Sequence, residues 1–251
     1  MLKFAVKSGA AEFWSYPEHR SWERDLFRLD DNISRIHANL SRDPTIATFI
    51  SKYPGLRLLR QNAEQCLFSF VCASNTNIPM IRRMLYNLCR KFGEKTSFDG
   101  HEFFVFPSAH ALNSASLSEL QSCGVGYRAK AIKAAAKAIV DGDLNFPYLR
   151  NTPLLEARDQ LLRIHGIGNK IADCILLFSL DKLDAFPIDV WIARALSTHY
   201  STLHESRIGE KLTPRQYESI SEKMRSHFGK YSGYAQQYLY YGMRHHARRG
   251  W

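Results

Sequence analysis

The stretch Leu161 to Leu196, LLRIHGIGNKIADCILLFSLDKLDAFPIDVWIARAL, decides how the rest of the chain reads. An apolar helix end runs into Gly166-Ile167-Gly168, helix resumes from Asn169 to about Leu180, and Phe186-Pro187 breaks it before another helix begins near Asp189. Two glycines around one apolar residue, set between two helices, predict a hairpin. The glycines are expected to supply positive φ and to let backbone amides approach a bound group, while the N-terminus of the second helix adds the positive end of its dipole. That combination suits a phosphate. Lys170 stands just inside the second helix and Asp189 opens the next one, so an amine and a carboxylate are expected to share a cleft.

The run GIGNKIADC followed by FPIDV resembles the helix-hairpin-helix (HhH-GPD) DNA glycosylases, and within them the 8-oxoguanine DNA glycosylase/lyases, whose catalytic lysine and aspartate fall where Lys170 and Asp189 fall. A glycine hairpin alone is a weak signal; hairpin, lysine and distal aspartate at this spacing are a strong one. The resemblance implies that Lys170 attacks C1′ of a damaged nucleotide, forms a Schiff base and so permits β-elimination of the 3′ phosphate. An amine attacks only as the free base, so desolvation or neighbouring cations must help Lys170 shed its proton. Positive charge builds on the sugar as the glycosidic bond breaks, and a carboxylate at Asp189 stabilises it, by about 3 kcal/mol or more in a dry site. Read alone, Asp189 is also a good N-cap for its helix, and the two roles are compatible. A lysine in the first turn of a helix is poorly placed for the dipole, which argues against a decorative Lys170. Relatives lacking an amine here use water and leave the strand uncut.

Composition agrees with such a partner without specifying it. The 251 residues suffice for one large domain or two small ones, and 45% hydrophobic content suffices for a buried core. Counting 34 Lys+Arg against 24 Asp+Glu gives a net charge of +10, which favours a polyanion without distinguishing DNA, RNA or an acidic membrane face. Cys66, Cys72, Cys89, Cys123 and Cys174 lie scattered among apolar residues with no CxxC pair, a pattern expected of a reduced, metal-free protein without a cofactor. Endonuclease III-like relatives carry a clustered four-cysteine iron-sulfur loop near the C-terminus, and no cysteine follows Cys174. No apolar run reaches membrane-span length and the N-terminus lacks signal-peptide features, so the expected location is the cytoplasm (nucleoid-associated) or a nucleus, with no secretion and no membrane partner.

Towards the N-terminus, residues 1 to 6 alternate as a strand does, and Ser8-Gly9 supplies a turn before Phe13-Trp14. This predicts a small β-leaning cap over residues 1–25, much reduced beside the β-rich domain of the animal-type enzymes. LKFAVKSGAAEFW resembles the segment in which a glycine carbonyl meets the N7 hydrogen of oxidised guanine, which places that role on Gly9; an ordinary turn glycine reads equally well. From Leu26 the pattern is helical, with Leu29, Ile33, Ile36 and Leu40 on one stripe and Asp30, Asp31 or Asn32 available as a cap. Cys66 to Cys72 is an apolar helix expected at the domain centre. Ser74-Asn75-Thr76-Asn77 breaks out as a polar loop capping a helix over Ile78 to Phe92, and the resemblance adds that Asn75 fills the gap left by an extruded base. HEFFVF, His101 to Phe106, is ambiguous. Gly124 and Gly126 permit a tight turn before an alanine-rich basic helix ending at Gly142, on which Lys130, Lys133 and Lys137 share a face that suits solvent or phosphates alike. GVGYRAKAI resembles the segment presenting an aromatic wedge and an arginine, so Tyr127 is expected to intercalate beside the estranged base and Arg128 to contact it.

Downstream, Tyr200 to Pro214 reads as a polar loop, Arg215 to Phe228 as an amphipathic helix, and a last helix starts near Gly233 with Gln236 and Tyr240 one turn apart. The family's matching helix carries a glutamine on the Watson-Crick edge of the flipped base and an aromatic stacked on it. Tyr240 would replace the usual phenylalanine and keep the π face; without the resemblance it reads as packing. Cys174 falls on the helical face of Lys170, where its polarizable sulfur can lie against a base or simply fill the core. His165 stands where the family commonly has proline and Trp191 where it commonly has histidine, departures expected to alter hairpin stiffness and a phosphate contact but not the chemistry.

The resemblance covers about residues 26 to 245 through five segments in order. It implies a mostly α protein: two helical subdomains flanking a cleft with a helix-hairpin-helix motif, the glycosylase domain spanning residues 26–251 behind the 1–25 cap. The expected activity is bifunctional, removal of 8-oxoguanine from double-stranded DNA by base flipping together with AP lyase cleavage, carried out by a monomer. Two other readings stay open. One is the same fold acting on another damaged base, disfavoured by the missing iron-sulfur cysteines and by Gln236 with Tyr240. The other is a non-enzymatic DNA-binding hairpin, disfavoured by Lys170 with Asp189.

Overall fold

The computed structural model describes residues 2–7, 10–15, 18, 21–201 and 212–248. It is a mostly α fold with two small two-stranded sheets, and it divides into two compact units: residues 1–30, 61–145 and 164–166 form one, residues 31–60, 146–163 and 167–251 the other.

In the first unit, β1 (Leu2–Lys7) and β2 (Ala10–Ser15) pair antiparallel with Phe4 opposite Phe13. Phe13 meets Trp22 of α1 (Trp22–Leu26) edge-on, with ring centroids 5.6 Å apart. The apolar stripe expected to include Leu29 starts later: α1 stops at Leu26, Leu29 is exposed, and of the candidate caps Asp30, Asp31 and Asn32 it is Asn32 that opens the next helix. The reason lies in Asn32, whose side chain accepts from the Arg35 amide and so starts a new helix, leaving Leu29 in the turn before it. The helix at the centre of this unit is α4 (Ala63–Cys72), with Cys66, Leu67, Phe68, Val71 and Cys72 buried. Helix α8 (Arg128–Val140) packs on it and on α6 (Ala109–Ser114) through Ala129, Ile132, Ala135 and Ala136. Helix α5 (Ile78–Phe92) buries only Met84 and Leu88, and Asn77 caps it by accepting from the Met80 amide at 3.0 Å.

Two local surprises have physical causes. The ambiguous HEFFVF run is half of a hairpin, β3 (Lys95–Phe98) with β4 (His101–Phe104), turned by Asp99 and Gly100 at φ 54° and 76°. Asp-Gly with both central residues left-handed is the tight connection that matches strand twist. On α8, Lys133 donates to the Ala115 carbonyl at 2.8 Å and to that of Asn113, and so serves the C-terminal end of α6, while Lys137 pairs with Asp141. The lysine face is therefore partly occupied by its own neighbours.

The second unit contains α2 (Ile33–Leu40), α3 (Pro44–Lys52), α9 (Phe146–Asn151), α10 (Leu154–Leu162), α11 (Asn169–Ser179), α12 (Val190–His199), α13 (Pro214–Phe228) and α14 (Ser232–Arg248). Every residue from Ile171 to Leu177 is buried, so α11 is the central helix, with α10 and α13 packed against it and α14 against α3, α12 and α13. Among the described residues no helix is long and apolar enough to cross a membrane. Tyr200, expected at the start of a polar loop, is instead buried and donates to Asp43 Oδ1 at 2.9 Å. Asp43 also caps α3 through the Ile46 amide at 3.0 Å and meets His227 Nε2 at 2.9 Å.

Burial works against the charge on Asp43, but hydrogen bonds from His227, the Ile46 amide and Tyr200 outweigh it and hold its pKa below the ordinary value of 3.8. A depressed carboxylate contributes stability above its unfolded pKa, and that stability is lost as the pH falls through the lower folded value. Asp43→Ala is expected to cost about 2 kcal/mol at pH 7, from the lost cap and hydrogen bonds. The gap between variant and parent should narrow below pH 3.8. Urea unfolding at pH 7 and at pH 3 checks it; a constant gap contradicts the linkage.

Candidate active site

The hairpin glycines differ in kind. Gly166 has φ +86°, and a Cβ there would lie 2.4 Å from the Ala131 Cβ, so conformation and space both demand glycine. Gly168 has φ −103° and ψ 175°, extended backbone that any residue adopts, and an added Cβ would meet nothing within 4 Å. Positive φ at both glycines is thus corrected to positive φ at Gly166 alone. Gly168 is the N-cap of α11 and offers no side chain over the first-turn amides, which keeps that end of the helix open to a close-approaching group. Gly166→Ala is expected to lose about 1–3 kcal/mol of stability through backbone strain and overlap with Ala131. Gly168→Ala should stay within about 0.5 kcal/mol. Thermal melts of the two variants decide; equal losses would mean that the hairpin's two glycines carry the same constraint.

Two residues after Gly168, in the first turn of α11, Lys170 is half-buried, and Cys174 is buried one turn further. Burial pushes the Cys174 thiol up to about 12, with the Lys170 ammonium acting in the opposite direction and the Asp173 and Asp189 carboxylates in the same one. Lys170 and Asp189 therefore both lie within electrostatic reach of one sulfur, and the thiol stays neutral at ordinary pH. Asp189 is the N-cap of α12, Oδ1 accepting from the Ile192 amide at 2.8 Å; the cap takes one carboxylate oxygen and fixes the direction of the other.

Gln236 is buried on α14 and donates Nε2 to the Pro187 carbonyl at 3.0 Å, while its Oε1 accepts from Gln237 at 2.7 Å. The amide thus ties α14 to the segment leading into Asp189. Tyr240, one turn on, is half-buried; its hydroxyl accepts from Arg244 Nη1 at 2.6 Å, and the Arg244 guanidinium lies 5.8 Å from its ring centroid. Lys170, Cys174, Asp189, Gln236 and Tyr240 all belong to the second unit.

The DNA-facing candidates gather in the first unit. Asn75 is exposed and left-handed, φ 48°, a conformation asparagine tolerates better than most residues. Tyr127 is 64% exposed, and its hydroxyl donates to the Ser74 carbonyl at 3.3 Å and accepts from Asn75 Nδ2 at 3.5 Å. The Arg128 guanidinium lies 4.6 Å from the Tyr127 ring centroid; Nε donates to the Ser74 carbonyl at 3.0 Å, Nη2 to Ser74 and Asn75, and Nη1 to Val125 at 3.4 Å. Arg128 therefore spends its donors on the loop carrying Asn75, a structural task the sequence did not announce. Gly9 lies outside the described residues. Among the described residues no group of three or more histidine, cysteine, aspartate or glutamate side chains is placed to hold a metal, and all five cysteines are free thiols.

A buried polar cluster beneath the lysine helix was missed. Arg158 on α10 grips Asp173 on α11 with two hydrogen bonds of 2.8 and 2.6 Å, and Tyr217 on α13 donates to the same carboxylate at 2.8 Å. The signal was present: Asp173 is a lone carboxylate in an otherwise apolar helix, and a buried charge requires a partner.

Comparison with known proteins follows the same lines. Residues 68–222 match the family model of the HhH-GPD superfamily base excision DNA repair proteins. The chain is 34% identical over 221 residues to an N-glycosylase/DNA lyase OGG1 of Arabidopsis thaliana, covering 86% of this chain but only 60% of that protein. It is 30% identical over 244 residues to a probable N-glycosylase/DNA lyase of Methanothermobacter thermautotrophicus, covering 89% of this chain and 73% of that one. The fold superposes with a TM-score of 0.87 and 29% identity on the Clostridium acetobutylicum 8-oxoguanine glycosylase/lyase bound to dsDNA with cytosine opposite 8-oxoG, over 98% of this chain and 82% of that structure.

Proposed function

Because the chain belongs to the HhH-GPD superfamily of base excision DNA repair proteins, we propose that it is a bifunctional DNA glycosylase and AP lyase that removes 8-oxoguanine from double-stranded DNA. The observation that carries the reading is that Lys170 stands in the first turn of α11, directly behind the Gly166–Gly168 hairpin, and Asp189 caps α12 through the Ile192 amide in the same compact unit. An amine that shares a site with a carboxylate suits displacement at a sugar carbon. Lys170 Nζ forms a bond to C1′ as the glycosidic bond breaks and the base departs with the electron pair, taking up a proton. Asp189 stabilises the positive charge that builds on the sugar. The covalent adduct opens to an imine, loss of a C2′ proton expels the 3′ phosphate, and the strand is cut.

Chemistry on a base requires extrusion from the stack. On this reading Tyr127 enters the duplex beside the estranged base, Asn75 fills the vacated space and Arg128 lies against the orphaned partner. Gln236 and Tyr240, with Cys174, receive the flipped base. The first-turn amides of α11 behind Gly168 hold a phosphate, which supports binding without sequence information. The net charge of +10 supplies the long-range attraction.

Borohydride is expected to trap a covalent complex between this protein and duplex DNA containing 8-oxoguanine, and Lys170→Gln to abolish it. A binding module gives no adduct, and a water-using glycosylase releases base without one. Undiminished trapping by the Lys170 variant would overturn the assignment.

The opposite base rests on Met80. In the animal-type enzymes an alanine-arginine pair follows the asparagine-rich loop, and here Pro79-Met80 occupies the first turn of α5, with the Met80 side chain exposed. A thioether packs against a base edge but donates no hydrogen bond. A polar base contact is worth about 1–3 kcal/mol of discrimination, so its loss flattens the preference for cytosine without removing it. Single-turnover excision opposite adenine, guanine or thymine is expected within about tenfold of the cytosine pair. A hundredfold or greater cytosine preference over every other partner, on the same scale, would show that another residue reads that base.

A further inference from the structure

Tyr217 joins the two halves of the lysine-aspartate pair through one oxygen. Its hydroxyl donates to Asp173 Oδ2 at 2.8 Å and accepts from the Ile188 amide at 3.1 Å, the residue before Asp189. The ring is 5% exposed, and burial, reinforced by the Asp173 charge, drives the phenol pKa well above its ordinary range, so the hydroxyl keeps its proton and its direction of donation. Asp173 is itself immobile: fully buried on α11, three residues after Lys170, and held bidentately by Arg158. Ser221, one turn beyond Tyr217 on α13, extends the cluster by accepting from Arg158 Nη2 at 3.5 Å and donating to the Phe186 carbonyl at 3.4 Å. With Gln236 on the Pro187 carbonyl, the backbone from Phe186 to Ile188 is held at three successive residues, each by a side chain of α13 or α14.

Resting on the proposed roles of Lys170 and Asp189, we infer that Tyr217 is a positioning residue for the reaction. Its hydroxyl clamps the 186–189 backbone to α11 and so sets the placement of the Asp189 carboxylate relative to the Lys170 amine. The buried Arg158–Asp173 pair is the anchor of that clamp. The link is needed because Asp189 follows a break in the chain at Phe186-Pro187, where no helical hydrogen bond ties the segment to α11.

Tyr217→Phe keeps the ring and removes only the oxygen. In single-turnover excision of 8-oxoguanine it is expected to slow the chemical step about tenfold or more, because displacement of a reacting group by a fraction of an ångström has effects of that order. Affinity for a duplex carrying an uncleavable abasic-site analogue should change less than twofold, on the ground that the hydroxyl is buried away from any phosphate or base. The deciding arm is the same substitution in an Asp189→Asn background: with nothing left to position, the further loss should fall below twofold. Equal losses in both backgrounds, or no loss in the parent once the folded fraction is measured by thermal melting, would overturn the inference. A Tyr217→Phe chain that does not fold leaves amide exchange of the unmodified protein: Ile188 is expected to exchange only through global unfolding, and fast local exchange there removes the clamp. Failure of the parent itself to excise 8-oxoguanine, or trapping that survives Lys170→Gln, strikes the proposed function and is distinct from either result.

Discussion

A guanidinium and a carboxylate taken out of water together constrain this protein more than any apolar contact. Arg158 and Asp173 are both buried, and their pairing is bidentate, the geometry in which a planar fork matches a carboxylate. Either ion alone would cost about 3–5 kcal/mol, so neither α10 nor α11 can shift without the other. Tyr217 satisfies a further lone pair and brings α13 into the same arrangement. The pair contributes little net stability against an apolar replacement of the same volume. What it does fix is the pairing of α10 with α11, the helix that begins with Asn169 and Lys170.

On the proposed reading that pairing matters because the two reacting groups have separate origins. Lys170 is fixed by a helix, whereas Asp189 belongs to a chain segment arriving from a proline break. Capping resolves half the difficulty, since the bond from the Ile192 amide orients the carboxylate relative to α12. It does not orient α12 relative to α11. Side-chain bonds from Ser221, Gln236 and Tyr217 to the Phe186, Pro187 and Ile188 backbone supply that connection, which an ordered apolar core alone would leave looser.

Local chemistry was legible in the sequence wherever one residue type has one physical use. Asn77 before Ile78, Asp189 before Val190, and the turn glycines at Gly124 and Gly166 each announced the backbone they adopt. The continuous apolar run from Cys66 to Cys72 announced the central helix of the first unit. Tertiary partners were not legible: nothing near Tyr200 in the chain points to Asp43, and nothing near Arg128 points to the Ser74 carbonyl. Gly168 shows a subtler limit, for a glycine kept for open space has the same letter as one kept for φ. HEFFVF alone does not announce the β3–β4 hairpin, because the Asp99-Gly100 turn that makes it one lies before the run.

If Tyr127 and Asn75 enter the duplex as proposed, their unbound geometry already prepares the insertion. A left-handed asparagine is uphill by about 1 kcal/mol on its own, and an exposed tyrosine has free rotamers to lose. Here the Ser74 carbonyl accepts from Tyr127 and Arg128 together, and Arg128 also lies over the Tyr127 ring. Those contacts offset the strain at Asn75 and order the aromatic before any DNA arrives. On the proposed reading, the residues that meet the duplex are therefore arranged beforehand around a single carbonyl, so part of the entropy of assembling them is spent in folding and not at the encounter. An arginine so engaged must exchange backbone carbonyls for a base edge, which makes its base contact weaker than its charge suggests. On the proposed reading, weak contact of Arg128 with the orphaned base, together with a Met80 that donates nothing, leaves recognition to the flipped base and its pocket.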